Sequence, residues 1–148
     1  MKILFVDMDG VIVKSDSALS KISDEIKEEY HGRYYDIPNF FSLMDPNDGA
    51  IDAYKKLSSV FDTYILTAAP WNNPTAANDK IEWVKEYLPK EAHKRVIITH
   101  HKNLCSGDFL IDDNTRNGAG MFKGEHIHFG TEQFPSWKIV LKYLLEKT

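Results

Sequence analysis

A single cysteine, Cys105, stands in a chain of 148 residues. One thiol excludes an internal disulfide framework and any zinc site built on several cysteines, and it suits a reducing compartment. Basic residues are not in excess either: 18 Lys and Arg face 22 Asp and Glu, for a formal net charge of -4. The broad positive field that tracks a DNA or RNA backbone is missing, so no nucleic acid polymer is expected as a partner. No stretch approaches the ~18 apolar residues of a membrane span. The opening MKILFVDMDG is too acidic, and its apolar run too short, for a signal peptide. Internal repeats, low-complexity tracts and charge blocks are also lacking, so no linker or second full domain is indicated. The expectation is a soluble, cytoplasmic protein with no membrane partner.

Apolar residues, by contrast, are plentiful. At 43% hydrophobic and 12% aromatic the chain can close a core, and its length suits one domain with a modest insertion. Ile3 to Val6 form a short apolar run that stops at Asp7, the pattern of a strand buried on both faces. The pattern returns in Tyr64-Ile65-Leu66 before Thr67, Val96-Ile97-Ile98 before Thr99, and Phe109-Leu110-Ile111 before Asp112. Between the runs lie helical periodicities: Ala50, Ala53, Tyr54, Leu57; then Ile81, Val84, Leu88; then Trp137, Val140, Leu141, Leu144, Leu145. Alternating strand and helix predicts an α/β, Rossmann-like fold with a mainly parallel sheet flanked by helices. Residues 14–47 interrupt that rhythm. Leu19, Ile22, Ile26 and Tyr30 mark an amphipathic helix there, and Tyr34, Tyr35, Phe40 and Phe41 follow around Pro38. A small helical cap (14–47) inserted after the first strand of an α/β core (1–13 and 48–148) is expected.

Parallel α/β sheets bind ligands beyond the carboxyl ends of their strands, where loops and helix N-termini converge. The residues at those ends are Asp7 and Asp9, Thr67, and Asp112 with Asp113, while Lys102 lies between the third and fourth strands. Four carboxylates brought together need a cation, and all-oxygen ligands suggest Mg²⁺. With a lysine and a threonine hydroxyl added, the set suits a phosphoryl group, leaving one carboxylate free to attack phosphorus.

These residues resemble, in order, the four signature motifs of the haloacid-dehalogenase-like phosphotransferases: Asp7-Met8-Asp9-Gly10-Val11, Thr67, Lys102 and Ile111-Asp112-Asp113. Within that superfamily the chain is similar to the 5'(3')-deoxyribonucleotidase family. Phe40-Phe41 leading into Gly49-Ala50 resembles that family's double-aromatic segment and helix start, and Phe134-Pro135-Ser136-Trp137 its closing helix. The resemblance implies a phosphoric monoester hydrolase acting on a small nucleotide. Asp7 would be the nucleophile that forms an aspartyl-phosphate, and Asp9 the acid and then the base. Thr67 and Lys102 would bind phosphate. Mg²⁺ would be held by Asp7, the Asp9 carbonyl and one of Asp112 and Asp113. Phe40 and Phe41, or Tyr34 and Tyr35, would stack on the base.

Plainer readings stand beside these. An isolated Asp-Gly pair between apolar residues can be a hairpin turn, but not in company with Thr67, Lys102 and Asp112-Asp113 at strand ends. Phe40 and Phe41 can be core residues. His100-His101 and His126-x-His128 lack a third metal ligand at useful spacing. Asn117-Gly118-Ala119-Gly120 reads as a connecting loop, and Cys105 as an ordinary thiol. The rival functions are a phosphatase for a sugar phosphate and a non-catalytic or receiver-like phosphate-binding protein. A receiver places its acidic pair first and its lysine last, the reverse of the order here.

Overall fold

The computed structural model describes residues 1–148 and forms one parallel sheet. Its strands are Ile3–Val6 (β1), Asp62–Thr67 (β2), Val96–Ile98 (β3), Phe109–Asp112 (β4) and Glu125–His128 (β5), in the order β3-β2-β1-β4-β5. The four apolar runs all become strands. β5 extends the set, because an edge strand buries little: only Ile127 is fully covered, and the rest of it reads as polar. β1 lies at the centre, so its unbroken apolar run is covered on both faces.

Val6 pairs with Ile65 on one side and Ile111 on the other. That register brings Asp7, Thr67 and Asp112 to the same carboxyl edge. The chain winds outward from β1 through β2 to β3, then crosses back to β4 and β5. The crevice beside β1 and β4 is the switch point at which such sheets take ligands.

Four helices complete the fold: Asp24–Glu29 (α1), Ala50–Ser58 (α2), Ala76–Tyr87 (α3) and Trp137–Leu145 (α4). α2 buries Ala50, Ala53, Tyr54 and Leu57, as its periodicity requires. α3 is turned differently from the expected Ile81, Val84, Leu88 stripe. Ile81 is 37% exposed, and the inward face carries Ala76, Asp79, Lys80, Trp83 and Val84. None of these helices is long and apolar enough to cross a membrane.

The single amphipathic helix expected across Leu19 to Tyr30 is corrected by the structure. A 3-10 turn at Leu19–Lys21 ends at an extended Ile22, and α1 starts afresh after Ser23, whose hydroxyl accepts from the Ile26 amide. A serine that can cap competes with helix continuation, and here the cap prevails.

The inserted segment is built into the core rather than resting on it. Ile37, Phe40, Phe41 and Met44 belong to the same apolar cluster as the sheet residues Leu4, Val6, Ile65 and Ile111. Indole N–H groups add fixed points: Trp83 donates to the Met44 carbonyl at 2.9 Å and Trp137 to the Val11 carbonyl at 2.7 Å. Asn73, nearly buried, donates to the carbonyls of Tyr35 and Ile37, each at 2.8 Å. At the far end of the sheet Lys2 Nζ donates to the Lys147 carbonyl at 2.7 Å, so the two chain ends lie side by side.

Candidate active site

The loop after β1 turns sharply, because the amides of Val11, Ile12 and Val13 all donate to the Met8 carbonyl. Gly10 takes φ +78°, and a Cβ there would stand 2.1 Å from Asp113 Oδ2. Only glycine fits both the backbone and the approach of that carboxylate. The result is a cleft of about 360 Å³ whose wall includes Asp7, Asp9, Lys102, Asp113 and Arg116.

Asp7 is buried and bonds Lys102 Nζ at 3.0 Å, and the same ammonium donates to Asp112 Oδ2 at 2.6 Å. Burial pushes the Asp7 carboxyl well above the usual carboxylate range. Lys102 opposes that rise, while Asp112 and Asp9 add to it. Burial alone would depress the Lys102 ammonium, but Asp7 and Asp112 more than reverse it, so Lys102 stays charged. The backbone of Lys102 is fixed by the loop beyond β4, where the Asn117 carbonyl accepts its amide at 2.7 Å. The Asn117-Gly118 turn is therefore a support for this lysine.

The sequence reading overlooks a second lysine. Lys80 is fully buried, and its Nζ donates to Asp9 Oδ2 at 2.8 Å, Thr67 Oγ1 at 2.8 Å and the Ala68 carbonyl at 2.7 Å. The Phe41 ring lies 4.6 Å from it. A signal was present: Lys80 precedes Trp83 by three residues and Val84 by four, so it shares their inward face. Reading Ile81 as part of that face turns Lys80 outward.

Phe40 and Phe41 are 1% and 2% exposed and do not line the cleft. Tyr35 stacks on Phe41 and reaches the cleft in their place, and Trp71, which is 88% exposed, lines the same cleft. Tyr34 packs against the core instead. His126 and His128 stack on one face of β5, and their Nε2 atoms donate to the carbonyls of Asp112 and Asp113 at 3.2 and 3.0 Å. They brace the acidic loop and are not part of the acidic cluster. Burial raises the Cys105 thiol, which leaves it an unactivated group.

A divalent cation fits this arrangement. One carboxylate oxygen from each of Asp7, Asp112 and Asp113 lies within 4.8 Å of the others. These three carboxylates share one ammonium group, that of Lys102, which bonds Asp7 and Asp112 and leaves Asp113 without an ion pair. Burial also raises Asp113, with Asp112 adding to the effect, so the cluster lacks positive charge as it stands. Hard oxygen donors of this kind suit a cation such as Mg²⁺.

Known proteins share sequence and fold with this chain. A relative from Vibrio phage KVP40 whose name carries the term 5'(3')-deoxyribonucleotidase is 51% identical over 142 residues, covering 96% of this chain and 84% of that protein. Another so named, from Staphylococcus epidermidis, is 32% identical over 143 residues, 88% of this chain and 79% of its own. A solved haloacid-dehalogenase-like hydrolase from Burkholderia xenovorans LB400 shares the fold. Its TM-score is 0.58 at 19% identity, over 90% of this chain and 84% of that one. The model of the cytosolic type C 5' nucleotidases, deoxy (pyrimidine), matches residues 14–135. With that span covering the cap, Thr67, both lysines and the acidic pair, the chain belongs to this 5' nucleotidase family of phosphoric monoester hydrolases.

Proposed function

We propose that the protein is a Mg²⁺-dependent phosphatase that hydrolyses (deoxy)nucleoside 5'- or 3'-monophosphates through an aspartyl-phosphate on Asp7. The observation that carries this reading is one cleft holding two carboxylates two residues apart, each bonded to its own buried lysine. In the first step a carboxylate oxygen of Asp7 forms a bond to phosphorus as the phosphorus–sugar oxygen bond breaks. Asp9 gives its proton to the departing oxygen. In the second step Asp9 takes a proton from water, whose oxygen attacks phosphorus and releases Asp7 and inorganic phosphate. A positioned acid and base of this kind contribute roughly 10²–10⁴-fold. Lys102 offsets charge on Asp7 and the phosphate, and Thr67 holds a phosphate oxygen.

Mg²⁺, when bound, would neutralise phosphate oxygens and the excess acidic charge. Asp7, the Asp9 carbonyl and Asp113 are the groups that would hold it. Asp113 is preferred to Asp112 because both Asp112 oxygens are engaged, one by Lys102 and one by the Asn114 amide, whereas Asp113 Oδ2 accepts nothing. The base would lie between Tyr35 and Trp71, the aromatic side chains that reach the cleft. Phe40 and Phe41 would shape it from behind. A cytoplasmic setting, where free nucleotides are found, suits this substrate.

The test is phosphate release, with and without Mg²⁺, from a panel of 5'- and 3'-deoxynucleotides, ribonucleotides and sugar phosphates, with Asp7→Asn as the blank. Mg²⁺-dependent preference for nucleoside monophosphates is expected. Release from sugar phosphates alone would overturn the substrate, and equal release by Asp7→Asn the nucleophile.

A further inference from the structure

Asp9 is held in the cleft by very little. Its carboxylate has one hydrogen-bond partner in the protein, Lys80, at Oδ2; Oδ1 has none. Asp112 differs, since both of its oxygens have partners, and Asp7 is buried beside Lys102. The orientation of Asp9 therefore depends on a single ammonium group delivered from α3.

The three protons of that ammonium are all committed, to Asp9, Thr67 and the Ala68 carbonyl, and Phe41 covers it. Lys80 has no donor left for a substrate. Its bond to Thr67 has a direction as well. An ammonium only donates, so Thr67 Oγ1 accepts, and the hydroxyl proton of Thr67 is left to be given elsewhere. No other hydrogen bond engages that hydroxyl. One buried cation thus fixes the carboxylate that moves protons and turns a phosphate-binding hydroxyl so that it donates.

We infer that Lys80 is a positioning residue that holds Asp9 in place as the leaving-group acid and sets Thr67 as a donor to the phosphoryl group. Phe41 shields this ammonium from water, which gives the buried aromatic a task other than stacking on a base. The inference rests on the phosphatase reading above.

The test exploits the leaving group. A sugar alkoxide needs a proton to depart and p-nitrophenolate does not, and kcat/KM reports the step that forms the aspartyl-phosphate. In Lys80→Met, kcat/KM for a deoxynucleoside monophosphate should fall about 10²-fold more than kcat/KM for p-nitrophenyl phosphate, the lower end of the usual acid contribution. Asp9→Asn should show the same selective loss, and combining the two substitutions should add little to it. Lys80→Gln, which keeps a donor in the cavity, is run beside Lys80→Met, with thermal melts on both. The selective loss in whichever variant folds supports the inference. Equal loss on both substrates, as a merely structural lysine would give, overturns it, as does full additivity with Asp9→Asn. Wild-type protein that releases phosphate from neither substrate would overturn the phosphatase reading itself.

Discussion

At the scale of single residues, the proposed function of Asp7 and its effect on stability oppose one another. Its carboxyl is raised because burial disfavours its charge, so a neutral isostere in the same place should suit the fold better. Asp7→Asn is expected to raise Tm in metal-free buffer while abolishing turnover, and a melt beside a phosphate-release assay checks both. Tyr54 poses the same question away from the cleft. It is fully buried, and its hydroxyl has no partner. Burial raises this phenol far above its usual range, and the Arg95 charge offsets only part of that. Tyr54→Phe removes an unsatisfied buried group, so it should stabilise by about 1 kcal/mol or more, read from urea unfolding.

The residue scale is also where the sequence was legible for a physical reason. Asp7, Thr67, Lys102 and Asp112 end or follow apolar runs, and a parallel sheet brings such ends together whatever the details of packing. Lys80 sits inside a helix, where its direction depends on which residues face inward. Ile81 and Trp83 compete for that face, and the larger indole takes it by donating to the Met44 carbonyl. For Phe40 and Phe41 the hydrophobic effect decided: two adjacent rings behind Tyr35 gain more by closing the core than by waiting for a ligand.

Among the elements, the link between α3 and the segment that carries Tyr35 fixes one wall of the cleft. Asn73 bonds the carbonyls on either side of Asp36 and accepts from the Thr75 amide. Thr75 Oγ1 in turn accepts from the Asn39 amide at 2.7 Å and donates to Asp79 at 2.6 Å. These bonds set the segment that presents Tyr35 to the cleft. Asn73→Ala leaves two carbonyls without their donor, at a cost of about 1–3 kcal/mol for a buried group. Faster amide exchange at 34–39 is expected, with KM for a nucleotide rising more than KM for p-nitrophenyl phosphate. The register of β1, β2 and β4 could be anticipated from where their apolar runs stop. The break at Ser23 could not, because helix period and helix cap were both written into the same twelve residues.

For the molecule as a whole, charge sets the response to metal and pH. Asp7 and Asp113 both have raised carboxyls. A group raised in the folded state adds stability below its unfolded pKa and loses that contribution as pH rises through the folded value. A divalent cation competes with those same protons. The rise in Tm on adding Mg²⁺ should therefore be small in acid and grow as pH passes through the raised Asp7 and Asp113 values, and melts with Mg²⁺ or EDTA across a pH series check this. Saturation at a hundredfold Kd corresponds to about 2.7 kcal/mol. Because cap and sheet share one apolar cluster, fluorescence and far-UV signals should report a single common unfolding transition.

The contact between Lys2 and Lys147 lies at the amino end of β1, a full strand length from the acidic cleft. A short peptide could join the two ends there, and the new ends of such a circular permutant could be opened in the exposed segment around Glu132. The same layout favours tethering: a copy fixed to a surface through either terminus would turn its cleft toward the solution, and immobilisation should leave access for small molecules unchanged.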